Sequence, residues 1–158
     1  MKNLVKLLPL IAALTLTGCK KDQKADQLIE ETNLVETPAV ATQDEMVKEA
    51  QSKPLTTLAL SESNFEFGKV KKGEHVQHVY EVTNTGKNPL IISQVKPGCG
   101  CTAPDYTKDP ILPGQKGSIT LKFDSSNFDG LVNKQAEVFA NVEKAPIVIT
   151  FSADVQPK

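Results

Sequence analysis

The chain has 158 residues and a mass of 17.1 kDa, room for one compact domain of ordinary size and hardly for two. Lys+Arg is 18 and Asp+Glu is 19, a formal net charge of −1, and that balance gives no support to a nucleic-acid binder, which would need a clustered basic face. Every basic residue is a lysine, so bidentate arginine clamps for phosphate or carboxylate are excluded.

Lys2 and Lys6 form a basic start, and Leu7 to Leu14 is a short apolar run. It falls short of the ~20 apolar residues that span a bilayer. Leu16-Thr17-Gly18-Cys19 follows at once and resembles the bacterial lipobox. Residues 1–18 are therefore expected to be a lipoprotein signal peptide. Cys19 is the expected lipidation site, carrying diacylglycerol and an acyl chain such as palmitate, and no other cofactor is expected. Each buried CH₂ of such chains contributes about 0.8 kcal/mol of membrane affinity.

Residues 19–54 read as the lipidated N-terminus and a flexible acidic tether. From 20 to 54 there are five lysines, eight acidic residues and no aromatic. Asp26 to Val35 and Asp44 to Gln51 have some helical composition, but their apolar positions are sparse. Such a segment is expected to stay solvated with transient helix, because it buries too little to offset its ordering entropy. A coil of this length spans about 30–35 Å.

Residues 55–158 change period. Leu58-Ala59-Leu60 and Asn64 to Phe67 read as strands, and Gly68 to Gly73 as an exit and a turn. Val76, Tyr80 and Val82 share one parity, and Asn84-Thr85-Gly86 is a turn signal. Leu90 to Val95 is the next strand. Ile119, Leu121 and Phe123 then alternate cleanly, as do Ala136, Val138, Ala140 and Val142, and Ile147, Ile149, Phe151 and Ala153. About seven short strands with turns between them predict an all-β, antiparallel, immunoglobulin-like sandwich.

Several motifs carry a family resemblance. They are Phe65-Glu66-Phe67-Gly68-Lys69-Val70, Asn84-Thr85-Gly86, Pro89 to Ile92, Cys99-Gly100-Cys101-Thr102 and Ile111-Leu112-Pro113-Gly114 before Ile119 to Asp124. Together they resemble the bacterial domain-of-unknown-function family 1573, common in lipoproteins of Bacteroidetes-like bacteria. The resemblance implies an immunoglobulin-type sandwich related to PapD-like and major-sperm-protein-like modules, which are mostly scaffolds and binding modules. It implies no activity. Pro97-Gly98 before the cysteines departs from the small polar residue expected there.

Cys99 and Cys101 are the pair left once Cys19 is lipidated, and exported thiols tend to be oxidised. Residues two apart have Cα atoms ~5–7 Å apart, which a disulfide can bridge when the chain turns. Gly98 and Gly100 are expected to supply the turn through positive φ. A loop of about three residues stabilises by only ~1.5 kcal/mol. Three readings stay open: a turn disulfide, a redox dithiol and a two-thiolate site for a soft metal such as Cu(I). Lys96 and Lys108 are the cations nearest in sequence.

The remaining candidates are weaker. His75 and His78 are three apart on a strand, so they point to opposite faces and form no metal pair. Asp105 and Asp109 are read as solvated loop charges. Ser125 to Gly130 partly matches a calcium loop, but the position that needs a bidentate Glu is Ala136. The expected protein is a non-enzymatic binding or scaffold module in the bacterial envelope. It is expected to be anchored by lipid to the outer membrane, facing the periplasm or the cell surface, with a protein partner and no nucleic acid. The alternative is a small thiol-redox or Cu(I)-handling protein acting through Cys99 and Cys101.

Overall fold

The computed structural model describes residues 41–158. Cys19 and the lipobox lie outside them, as does most of the segment read as a tether. One helix comes first, α1 (Gln43–Ala50). Eight strands follow: β1 (Leu58–Leu60), β2 (Asn64–Lys71), β3 (His75–Asn84), β4 (Ile92–Pro97), β5 (Thr102–Tyr106), β6 (Lys116–Asp124), β7 (Gly130–Ala140) and β8 (Ile147–Gln156). They form two four-stranded sheets, ordered β1-β3-β6-β5 and β2-β8-β7-β4. This is the all-β immunoglobulin-like sandwich that the strand periods predict.

The alternation in the sequence decides what lies between the sheets. Tyr80 and Val82 of β3, Ile119, Leu121 and Phe123 of β6, and Ile149 and Phe151 of β8 are all buried. Val138 and Ala140 of β7 complete that layer. Successive side chains of a strand point to opposite faces, so one apolar parity per strand suffices to build the core.

Three features differ from expectation. The strand count is eight rather than seven, because Thr102–Tyr106 pairs with β6 as β5. Its sequence, with Pro104 and two polar residues, carries no strand signal of its own. Gly68 does not end β2: it sits at φ 68° in an irregularity between Glu66 and Lys69, and pairing with β8 resumes at Lys69. That pairing is parallel, the exception in otherwise antiparallel sheets.

The third difference concerns residues 41–54. They do not all belong to a solvated tether. Thr42 caps α1: its hydroxyl accepts the Glu45 amide, and the Glu45 carboxylate accepts the Thr42 amide at 2.7 Å. Those bonds from Thr42, through its backbone amide first, hold the Glu45 carboxyl below its usual range. Met46 and Ala50 are buried with Phe139 of β7. Gln51 donates to the carbonyls of Val142 and Glu143, both at 3.0 Å. The helix is stabilised by this docking, since eight residues alone are too few for a helix in water.

Buried polar side chains hold both ends of the sandwich. At one end the Asn84 carboxamide oxygen accepts the Thr56 hydroxyl at 2.9 Å, and its amide donates to the carbonyls of Asn88 and Ile111 at 2.8 Å. Asn141 likewise donates to the carbonyls of Pro54 and Pro89 and accepts the Ile91 amide. At the other end the Ser125 hydroxyl donates to the Glu74 carbonyl at 2.8 Å and accepts the Gly73 amide at 3.0 Å. The segment that partly matched a calcium loop is thus the β6–β7 connection, with Ser125 as its internal anchor.

Candidate functional site

The loop between β4 and β5 carries Cys99-Gly100-Cys101 across from one sheet to the other. Both flanking strands lie at sheet edges, so the loop closes the side of the sandwich. The two cysteines are joined by a disulfide, with Cα atoms 5.3 Å apart. Tyr106 of β5 ties the same edge strands together, its hydroxyl donating to the Ser93 carbonyl at 3.0 Å.

Each flank of the ring is fixed to a different sheet. The Gly98 amide donates to the Gln135 carbonyl of β7 at 2.9 Å, and the Asp124 amide of β6 donates to the Cys101 carbonyl at 3.1 Å. The glycines do not act through positive φ as expected: neither Gly98 nor Gly100 has one. Gly98 allows a close approach: a Cβ there would lie 3.3 Å from the Gln135 carbonyl oxygen, a tight contact. Gly100 is different. A Cβ there would meet nothing within 4 Å.

Thr102 enters the sequence reading only as the end of the Cys-Gly-Cys-Thr run, with no role of its own. It is only 4% exposed. Its hydroxyl lies 3.7 Å from the Cys99 sulfur and 3.8 Å from the Cys101 sulfur. A threonine directly after a cysteine pair is a signal available in the sequence, but only the fold shows that it is buried beneath both sulfurs.

Shallow recesses open on each side of the ring. One, of about 280 Å³, includes Cys101, Gly100, His75, Lys122 and Asp124. The other, of about 260 Å³, includes Cys99, Asn133 and Lys134. His75 is exposed, with its Nε2 3.9 Å from Asp124. The Ser126 hydrogen bonds, side chain first, hold the Asp124 carboxyl below its usual range, and His75 adds a smaller pull.

The other sequence candidates do not gather here. His78 faces inward, stacked on Phe65 at 3.5 Å between ring centroids and bonded to Glu62 at 2.9 Å. Asp105 lies exposed on β5 rather than in a loop, and accepts the Tyr106 amide at 2.9 Å. Lys96 lies opposite Glu137 in the β4–β7 register, and Lys108 covers the Tyr106 ring at 3.2 Å. Among the described residues, no group of three or more His, Cys, Asp or Glu side chains converges as metal ligands. Among the same residues, no helix is long and apolar enough to cross a membrane.

A family model described as "Protein of unknown function (DUF1573)" matches residues 58–155. No curated protein matches the chain. Among solved structures, a protein of unknown function from Porphyromonas gingivalis W83 is similar at 20% identity and TM-score 0.56, over 75% of this chain and 51% of that one. The Vibrio cholerae VesB protease is similar at 14% identity and TM-score 0.50, over 70% of this chain and 33% of that one. PapD-like domain 7 of human CEP192 aligns at 13% identity and TM-score 0.48, over 67% of this chain and 90% of that one. The chain thus spans about half the length of the first of these structures and a third of the second. At these identities the likeness is one of fold alone.

Proposed function

The chain belongs to the DUF1573 family of proteins of unknown function, and on that premise we propose that it is a lipid-anchored binding module of the bacterial envelope. In this reading Cys19 carries the lipid, and the sandwich is held on the outer membrane to engage a protein partner. It performs no chemistry on a small substrate.

The observation that carries the reading is the docking of α1. The chain arriving from the N-terminal side is seated on the outer face of β7 by Met46, Ala50 and Phe139. A domain swinging freely on its anchor needs no such seat. A surface that includes an already docked helix gains by it, because that segment does not have to be ordered when a partner binds. The buried polar groups support the same reading. Asn84, Asn141 and Ser125 all have hydrogen-bond partners inside the fold and serve to shape loops.

The test uses the full chain in a bacterial host fed a labelled fatty acid, followed by membrane fractionation and amine cross-linking of intact cells. Label on the wild type, its loss with Cys19→Ala, and a discrete heteromeric adduct are expected. An unlabelled wild type, or a chain that is never cross-linked to another protein, would overturn the reading.

A further inference from the structure

The Cys99–Cys101 disulfide is poorly explained as a staple. A ring closed over so few residues restricts the unfolded chain very little. The flanks of the ring are already held to both sheets by backbone hydrogen bonds at Gly98 and Cys101. The surroundings of the sulfurs are also more specific than a staple requires. Thr102 is buried, and its one hydroxyl proton is in reach of either sulfur, at nearly equal distances of 3.7 and 3.8 Å. Gly100 stands between the cysteines with open space where a side chain would be, and no positive φ requires a glycine there. The ring is therefore anchored on both sides, has one hydroxyl in reach of both sulfurs, and borders an open recess on each flank.

We propose that Cys99 and Cys101 form a thiol–disulfide exchange site for a protein dithiol, with the Thr102 hydroxyl stabilising whichever sulfur leaves and the missing side chain at Gly100 admitting the partner. This is a second activity, beyond the binding reading. The partner's thiolate attacks Cys99 Sγ. The bond between the two sulfurs breaks, and its electron pair goes to Cys101 Sγ, which accepts a hydrogen bond from Thr102 and then a proton from water in the recess that Cys101 lines. The partner's second thiol loses its proton and attacks its own sulfur in the mixed disulfide. The electron pair of that bond passes to Cys99 Sγ, which takes up a proton in turn. The ring is reduced by two electrons to two thiols, and the partner dithiol is oxidised to a disulfide. Exchange runs faster when the leaving thiolate is stabilised, and a hydrogen bond to the charged sulfur does this. One hydroxyl within reach of both sulfurs serves both steps, and equally the reverse reaction.

The experiment follows the reduction of the oxidised full chain by dithiothreitol and by reduced thioredoxin, with alkylation and mass measurement counting free thiols. The wild type is expected to be reduced by both while keeping a folded melting transition. Thr102→Val is expected to slow both reactions about tenfold, the effect of losing one hydrogen bond to a charged group, and Thr102→Ser to restore them. Gly100→Val is expected to slow thioredoxin and to spare the much smaller dithiothreitol. If Thr102→Val does not fold, the contrast between the two reductants at Gly100 decides. A disulfide that survives both reductants in the folded wild type would overturn the proposal. So would exchange by Thr102→Val and Gly100→Val at wild-type rates with both.

Discussion

Phe139 of β7 is fully buried beneath Met46 of α1, although its neighbours Val138 and Ala140 point the opposite way, into the sandwich. β7 is therefore buried on both faces at this point: by the second sheet on one side and by the helix on the other.

Met46→Ala should lower the stability of the domain by about 2 kcal/mol, the low end for truncating a buried Met. Deleting the chain through Pro54 should cost more, because it uncovers Phe139 and removes the bonds from Gln51 to Val142 and Glu143. Denaturant midpoints of the variants check this. A midpoint unchanged by the deletion would mean that α1 is not docked in solution.

Phe123→Ala should come close to unfolding the protein. Phe123 is fully buried on β6 and packs against Phe151 of the facing sheet, with ring centroids 5.3 Å apart. Truncating such a residue costs about 3–5 kcal/mol, a large part of a typical total stability. Loss of the cooperative transition, or a much reduced midpoint, is the expected result in urea.

Replacing both Cys99 and Cys101 by serine should leave a folded domain. The ring contributes at most ~1.5 kcal/mol through the unfolded chain, and the loop keeps its bonds to Gln135 and Asp124. A melting temperature lowered by several degrees is expected. Loss of the cooperative melt would show that the pair carries much more of the fold than its loop length implies.

Tyr80 should titrate late. Its ring is buried in the core and its hydroxyl donates to the Thr150 carbonyl of β8 at 2.7 Å. Burial first, and the nearby Glu62 carboxylate second, push its pKa from an ordinary 10.0 up to about 12. The folded chain thus keeps a proton that the unfolded chain loses. This contribution to stability is fully present below pH 10 and is lost as pH rises toward 12. In a Tyr106→Phe variant, where Tyr80 is the sole phenol, ultraviolet titration should show ionisation near pH 12. A midpoint near 10 would mean that this hydroxyl is open to water.

The sequence alone determined what depends on neighbours along the chain. Strands with one apolar parity, such as Ile119-Thr120-Leu121-Lys122-Phe123, declare both their extended backbone and their inward face. With Asn84-Thr85-Gly86 and Pro113-Gly114 as breaks, they imply a sandwich before any contact is known. The Cys-Gly-Cys pair was legible in the same way as a site of interest, since short separation alone allows the bond. What the tertiary structure decided depends on groups far apart in the chain. The strand at Thr102–Tyr106 exists because β6 offers it an edge, the parallel pairing of β2 because β8 lies beside it, and α1 because Phe139 gives Met46 a surface to cover. Asp44 to Gln51 carried helical composition in the sequence, but what docks that helix is Phe139, apolar on the opposite parity of its strand. The tight space at Gly98 comes from Gln135, and the placing of buried Thr102 with its hydroxyl near both sulfurs comes from closure of the sheet edges. No pattern within a few residues encodes such approaches, because they arise only when segments tens of residues apart are packed together.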